Sequence, residues 1–474
     1  MKLRIEDFGP IKKPVVLEPK ALTLLCGANN TGKTYALYVL NALMDSRFVA
    51  HFDFAKNHAK VLFQEKHFSL PIDAFLGISA LQHAQKSIAD GLKSTLQRFF
   101  VAESTLTESA MFAIELDIAE ISSNPSVTLK ISWGGGAANE GVIHYMGALQ
   151  EKGTVSIAGK WDSVQQVEEA LHRLLMQLYL PQRKGRDFLL PAERTGINLF
   201  FRELNSRRAA LLRHVTSQTL DTSELLKDII VSRYPQPIHD YIEFLNSQPE
   251  IKRQESTFAD LATWLQKEVL RVKYKVDRYG DISIAPLRSG AEMGLHLGSS
   301  TVKTFFGLWS YLNHLAREGD WLMIDEPELN LHPQNQLAIA RLLAQLVNRG
   351  IHVVVSTHSD YMVREWGNLI MLGNADFVGR DALAEQYALP STQWLSTTQV
   401  SAYEFNSGSA HAMQVSADSG IRTDLFDASI QRLNAAAQDI FFTKQSANEI
   451  VQSVEAQTTH KSTTNASKKT KARA

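Results

Sequence analysis

The sequence predicts an α/β fold whose parallel-sheet core is assembled from two distant parts of the chain, and three observations carry that reading. Trp321 to Ile324 and Val353 to Ser356 are continuous apolar runs, the pattern of parallel strands buried on both faces, and a helical segment follows each. A third short apolar run, Ala21 to Cys26, lies near the amino terminus and leads through a glycine-containing loop into a helix, Tyr35 to Met44. The residues between these runs have other periodicities, so the core is split by inserted segments.

Taken in order, Met1 to about Arg47 reads as strand, turn, strand, loop and helix, with Leu3 and Ile5 alternating with charged residues and Gly9-Pro10 as the turn. Residues 51 to about 105 have few glycines and read as helical. From 110 to 160 the alternating segments MFAIELDIAE, SVTLKISW, GVIHYM and TVSIAG predict a small antiparallel sheet, with Trp133-Gly134-Gly135-Gly136 as a turn. A helix over Val164 to Tyr179 and a short strand over Phe188 to Pro191 follow. Residues 198 to 272 read as helical and charged, broken by Pro235 and Pro237. Phe258, Leu261, Leu265, Val269 and Val272 recur there at helical spacing, a stripe that reads as packing. The divisions expected are a head part at 1–50, an α+β insertion at 51–182, a return to the head at 183–197, a helical arm at 198–275, the second head part at 276–450 and a disordered basic tail at 451–474.

Composition narrows the classes. The chain has 474 residues, 44% of them hydrophobic and 21% charged, which is the balance of a globular protein with more than one core. A net charge of -1 gives no global basic field for nucleic acid. The single cysteine, Cys26, excludes an internal disulfide framework or a cysteine-rich metal site, and it reads as a small buried residue at a strand end. No apolar run is long enough to span a bilayer and the first residues are charged, so a cytoplasmic protein is expected.

Gly27-Ala28-Asn29-Asn30-Thr31-Gly32-Lys33-Thr34 fits G-x-x-x-x-G-K-[ST] between the buried strand and its helix. Such a loop turns backbone N–H groups around the β- and γ-phosphates of a nucleotide, and the helix N-terminus adds partial positive charge. Lys33 would neutralise the phosphate oxygens and Thr34 would offer its hydroxyl to Mg²⁺, making ATP and Mg²⁺ the expected ligands. The run Trp321 to Ile324 ends in Asp325-Glu326-Pro327. With a phosphate loop present, Asp325 is expected at the metal and Glu326 on the attacking water. The next buried strand ends in Ser356-Thr357-His358-Ser359-Asp360, where His358 is placed to donate to the γ-phosphate.

The order G-A-N-N-T-G-K-T, I-D-E-P-E-L-N-L-H-P, S-T-H-S-D resembles the ABC-type ATPase head shared by SMC-like, RecF-like and OLD-like proteins. The E-P-E-L-N-L-H-P run and Leu190-Pro191-Ala192-Glu193-Arg194-Thr195-Gly196 look most like the OLD-like, defence-associated branch. The resemblance covers about 1–50 and 276–375. It implies a P-loop ABC-type head, a mixed sheet with helices, that works as a nucleotide-sandwich homodimer. In such heads a signature segment of the second protomer meets the γ-phosphate. The matching place is Leu295 to Lys303 before a helix at Thr304 to Leu315, with Ser299, Ser300 and Lys303 as the nucleotide-contacting residues. Thr301 and Val302 replace the usual glycine and glutamate, so slow hydrolysis is expected. Higher ring-like or propeller assembly is a further implication. Arg194 is placed near the nucleotide or the dimer interface by the same resemblance.

OLD-like nucleases carry a D-x-D pair after the head, and none follows Asp360. The chain therefore resembles the ATPase subunits of antiphage systems such as PARIS and Septu. The resemblance implies a sensor and switch that controls a separate effector nuclease, and the alternative is a RecF-like or SMC-like DNA-repair or DNA-clamping ATPase. Eight basic residues (Arg183, Lys184, Arg186, Arg194, Arg202, Arg207, Arg208, Arg213) face three acids (Asp187, Glu193, Glu203) between Arg183 and Arg213. A nucleic-acid surface is one reading of that stretch and a solvated helix face the other.

Overall fold

Strands form where the sequence alternates or runs apolar. In the computed structural model, Lys2–Glu6 (β1) buries Leu3 and Ile5 and exposes Lys2 and Arg4, and Val15–Leu17 (β2) pairs with it antiparallel. Leu22–Gly27 (β3) is buried throughout and leads into the helix Lys33–Met44 (α1). The structure describes residues 1–65, 67–71, 73–101, 105–117, 129–132, 140–146, 154–158, 162–203, 234–251, 254–288, 290–422 and 431–445.

The next elements are Asp53–Glu65 (α2), His67–Pro71 (β4), Ile78–Phe99 (α3), Met111–Glu115 (β5), Leu129–Ser132 (β6), Glu140–Met146 (β7), Thr154–Ala158 (β8), Val164–Tyr179 (α4) and Asp187–Leu190 (β9). There follow Gln236–Asn246 (α5), Ala259–Trp264 (α6), Val272–Val276 (β10), Ile282–Pro286 (β11), Met293–Gly294 (β12), Ser300–His314 (α7), Trp321–Asp325 (β13), Pro333–Asn348 (α8), His352–Thr357 (β14), Asp360–Leu372 (α9), Val400–Asn406 (β15) and Ser409–Ala412 (β16).

The site is positioned by a six-stranded sheet in the order β16-β15-β3-β14-β13-β9. The five strands from β15 to β9 are parallel, and only the edge strand β16 runs the other way. In register, Thr357 lies beside Cys26 and Ser356 beside Asp325. The carboxyl ends of β3, β14 and β13 therefore finish together, where ligands bind in sheets of this class. Cys26 is buried, which pushes its thiol up to about 12 and suits a packing residue.

Three differences from the sequence reading have physical causes. First, Met111–Glu115 pairs with β1, with Ile5 opposite Phe112, rather than with the sheet β4-β8-β7-β6. The segment expected as an insertion is thus tied to the chain's first strand, and Leu3, Ile5, Leu37, Leu92 and Leu171 share one core. Second, residues 51–105 are not wholly helical, because His67–Pro71 pairs antiparallel with β8. Third, the stripe from Phe258 to Val272 is buried as expected, but α6 passes into a π-helical turn over Leu265–Leu270. Arg271 then turns left-handed at φ 56°, and Val272 already belongs to β10.

Residues 1–422 form one compact unit and 423–474 another, so the second head part expected to reach 450 ends at Arg422. In the second unit, residues 431–445 are helical. The tail at 451–474, the turn at Trp133 to Gly136 and residues 204–233 of the expected arm lie outside the described residues. Among the described residues, no helix is long and apolar enough to cross a membrane.

Candidate active site

The loop after β3 is shaped by backbone conformations that few side chains permit. Gly27 has φ 141°, and a Cβ there would lie 2.2 Å from the Phe405 carbonyl oxygen. Gly32 stands at φ 103° before α1, where a Cβ would come 2.7 Å from Ile11 Cγ1. Asn30 takes the left-handed region at φ 61°, which asparagine tolerates. The Thr31 hydroxyl donates to the Ala28 carbonyl at 2.8 Å and closes the loop, leaving Asn29 and Asn30 exposed at its tip.

Lys33 opens α1 and is 5% exposed. Its Nζ donates to the Ala28 carbonyl at 2.7 Å. Burial lowers its pKa while Glu326 and Asp325 oppose that, so the site already holds opposite charge close to the ammonium. Thr34, one residue on, turns its hydroxyl to Asp325, 3.1 Å from Oδ2 and 3.3 Å from Oδ1.

Asp325 ends β13 and is 2% exposed. Its carboxylate also accepts from the Ser356 hydroxyl at the end of β14. Burial pushes its pKa up to about 6, aided by Glu326 and Glu193, against the two hydroxyl bonds that pull it down. A carboxylate and a hydroxyl that already meet are hard oxygen donors of the kind Mg²⁺ takes, so the residues fit that ion.

Glu326 follows at φ 50°, a left-handed conformation that costs a residue of its type roughly 1–2 kcal/mol. Its N–H donates to the Ser356 carbonyl at 3.0 Å. Glu326 Oε1 lies 3.0 Å from His358 Nε2, and that bond holds the Glu326 carboxyl below its ordinary value. Ionised Glu326 can only accept, so His358 Nε2–H is the donor. Both side chains are partly exposed, at 29% and 27%, and can reach a ligand.

Two buried groups that the motif reading left without a role complete this arrangement. Arg194, 1% exposed, donates from Nη1 to the Asp325 carbonyl at 2.6 Å and to the Pro191 carbonyl at 2.9 Å, and from Nη2 to the Glu326 carbonyl at 2.7 Å. The resemblance places it near the nucleotide, and the structure sets it beneath the acidic turn. Glu328 Oε1 accepts from the Thr357 hydroxyl at 2.9 Å and from the His358 N–H at 2.5 Å. Its Oε2 is buried without a partner, and burial raises its pKa. The second acid of E-P-E-L was the available signal for Glu328.

The signature residues lie apart from the loop. Ser299 caps α7, its hydroxyl accepting from the Val302 N–H at 3.3 Å, and the helix starts at Ser300 rather than at Thr304. Ser299 and Ser300 are exposed, and the Lys303 carbonyl accepts from Asn198 Nδ2 at 2.6 Å. Among the described residues, no hydrogen bond or ion pair joins Ser299, Ser300 or Lys303 to residues 27–34. The link to the acidic turn runs through the Thr301 hydroxyl, which donates to the Asn330 carbonyl at 2.7 Å.

Within the basic stretch, the reading as a free cationic surface is corrected at three positions. Arg194 is buried as described, and Arg183 Nη2 donates to the Asp45 and Phe48 carbonyls. Arg202 pairs with Asp281 at 2.6 Å. Arg207, Arg208 and Arg213 lie outside the described residues.

Residues 203–363 match the family model described as AAA ATPase domain. With phosphate loop, acidic turn and histidine on neighbouring parallel strands, the chain has an α/β P-loop ATPase fold. Over 61 residues, 13% of this chain, it is 39% identical to the energy-coupling factor transporter ATP-binding protein EcfA of Carboxydothermus hydrogenoformans, and it spans 23% of that relative's length. Among solved structures it is similar to the SMC head domain from Thermotoga maritima, with TM-score 0.27 and 11% identity over 88% of this chain and 98% of that one. It is also similar to the recombination mediator protein RecF, with TM-score 0.31 and 10% identity over 87% and 97%. The ATPase-domain match supports the ABC-type ATPase reading of the motif order. Neither it nor these likenesses bears on the defence-associated branch.

Proposed function

We propose that the protein binds ATP·Mg²⁺ at the loop Gly27–Thr34, hydrolyses it slowly in a homodimer, and uses the cycle as a switch acting on a separate effector. The observation that carries this reading is the meeting of the loop and the acidic turn: Thr34 and Asp325 at 3.1 Å, with the Glu326–His358 pair one residue beyond. In this reading the loop N–H groups and Lys33 bind the phosphates, while the Thr34 hydroxyl and Asp325 carboxylate hold Mg²⁺. The ion supplies charge neutralisation between the phosphates. Glu326, kept ionised by His358, accepts a hydrogen bond from the attacking water and orients it. His358 holds a proton at Nε2 that can be donated to the γ-phosphate when nucleotide is present. Ser299, Ser300 and Lys303 serve the site of the second copy.

The effector in this proposal is a nuclease of an antiphage system, supported by the E-P-E-L-N-L-H-P resemblance and by the missing D-x-D pair after Asp360. The DNA-clamping alternative draws on the basic stretch at 183–213. Internal bonding of Arg183, Arg194 and Arg202 weakens that surface and favours the first reading. Purified protein incubated with DNA or RNA and Mg²⁺ or Mn²⁺ should cut neither. Cleavage that disappears on mutating carboxylates beyond Asp360 would overturn the separate-effector reading, and ATP-dependent retention of duplex DNA would favour the clamp.

A further inference from the structure

We infer that Arg194 is a positioning residue for Glu326: its buried guanidinium holds the Asp325–Glu326 turn in the left-handed conformation from which the Glu326 carboxylate meets His358. The inference rests on the proposed role of Glu326 in orienting water and adds the device that fixes it.

Left-handed backbone at a residue that is neither glycine nor asparagine persists only where the surroundings over-determine it. Here two sets of bonds do so from opposite sides. On one side the Glu326 N–H donates to the Ser356 carbonyl at 3.0 Å, which anchors the turn to β14. On the other, one guanidinium binds the carbonyls of Asp325 at 2.6 Å and Glu326 at 2.7 Å. Successive carbonyls of an extended strand point in opposite directions, so one planar fork reaches both because the chain turns at Glu326. Relaxing Glu326 to extended backbone would withdraw the second carbonyl from the fork.

The cost of the arrangement argues against simple packing. Arg194 is buried completely and, among the described residues, forms no ion pair, its partners being the carbonyls of Pro191, Asp325 and Glu326. A buried cation without a paired carboxylate is expensive, and an apolar side chain would fill the space at lower cost. What an apolar residue, or the single point charge of lysine, cannot do is bind two carbonyls in fixed relative geometry. The fork is itself anchored, because Arg194 begins the helix at 194–203 and its neighbour Thr195 bonds the Thr304 hydroxyl in α7 at 2.6 Å.

The test is a double-mutant cycle between Arg194→Lys and Glu326→Gln in the full chain, reading turnover and ATP KM, with thermal melting as a check on folding. Arg194→Lys should lower kcat by about tenfold or more and leave KM within about twofold, since the loop that binds phosphate is untouched. In the Glu326→Gln background the same change should alter the residual rate by less than about twofold, because the group being positioned is already gone. An equal fold-loss in both backgrounds, or an unchanged kcat in the parent, overturns the inference. Should the lysine variant not accumulate as folded protein, Arg194→Gln, whose amide can still serve one carbonyl, takes its place in the same cycle. Failure of the underlying reading shows separately, as a Glu326→Gln protein turning over at the parent rate whatever Arg194 does.

Discussion

The two parts of the proposed composite site are built in opposite ways. Around Lys33, Asp325 and Ser356 the polar groups are buried and bonded to one another across three neighbouring strands. At the start of α7, Ser299 and Ser300 face solvent, Leu297 is 66% exposed, and the link to the rest of the site is a single threonine-to-carbonyl bond. A pre-bonded cluster is organised to receive a charged ligand without rearrangement, whereas an exposed helix start can act only on something brought to it. The contrast teaches that this chain finishes the nucleotide-binding half by itself and offers the other half to a second copy.

The largest expected effect breaks the first half. Lys33→Ala removes the one buried cation in the phosphate loop, and ATP binding measured by titration should be lost. Unchanged affinity would mean that the loop does not hold the phosphates. Next in size, Glu326→Gln should retain ATP binding and reduce turnover about 10²-fold or more, leaving a longer-lived dimer by size-exclusion chromatography with ATP. Parent-rate turnover would move the water-orienting role to another group, with His358 the next to test.

A smaller effect concerns pH. Asp325 sits at about 6 without a cation, so protons and Mg²⁺ compete for it, and ATP·Mg²⁺ affinity should rise through about pH 6 and level off above. Stability of the metal-free protein runs the other way. A carboxyl whose folded pKa exceeds its unfolded value of about 3.9 is more protonated when folded, so stability falls as pH rises from about 4 to about 6. Asp325→Asn removes that contribution, and the melting-temperature advantage of the variant over the parent in chelator should widen across this range. Asp187, raised to about 6 by burial and then by Asp45, stays in both proteins and cancels from the difference. A difference that stays flat would mean that burial does not act on Asp325 as described.

How far the sequence showed these features depends on the range of the interaction that makes them. The runs ending at Cys26, Ile324 and Ser356 are strands because they are buried on both faces, a property written in consecutive residues. Their order was not so written, yet the positions of Asp325 and His358 at two strand ends already implied that β13 and β14 are neighbours. By contrast, the pairing of Met111–Glu115 with β1 joins residues more than a hundred positions apart, and the alternation MFAIE is the same whichever strand it meets. The break at Arg271 was hidden because Val272 continues the helical spacing while the backbone has already turned. Arg194 was visible only as a basic residue in a charged stretch, and nothing local reveals that its guanidinium is buried against backbone 131 positions away.

The claim that the exposed start of α7 works on another protomer's nucleotide is tested most directly by mixing two inactive variants, Lys33→Ala and Ser300→Arg. Pairing one of each makes one composite site with both lesions and one with neither. The account predicts that ATPase activity, absent from either variant alone, partly returns in the mixture. No return of activity, with mixed oligomers shown to form, would contradict it.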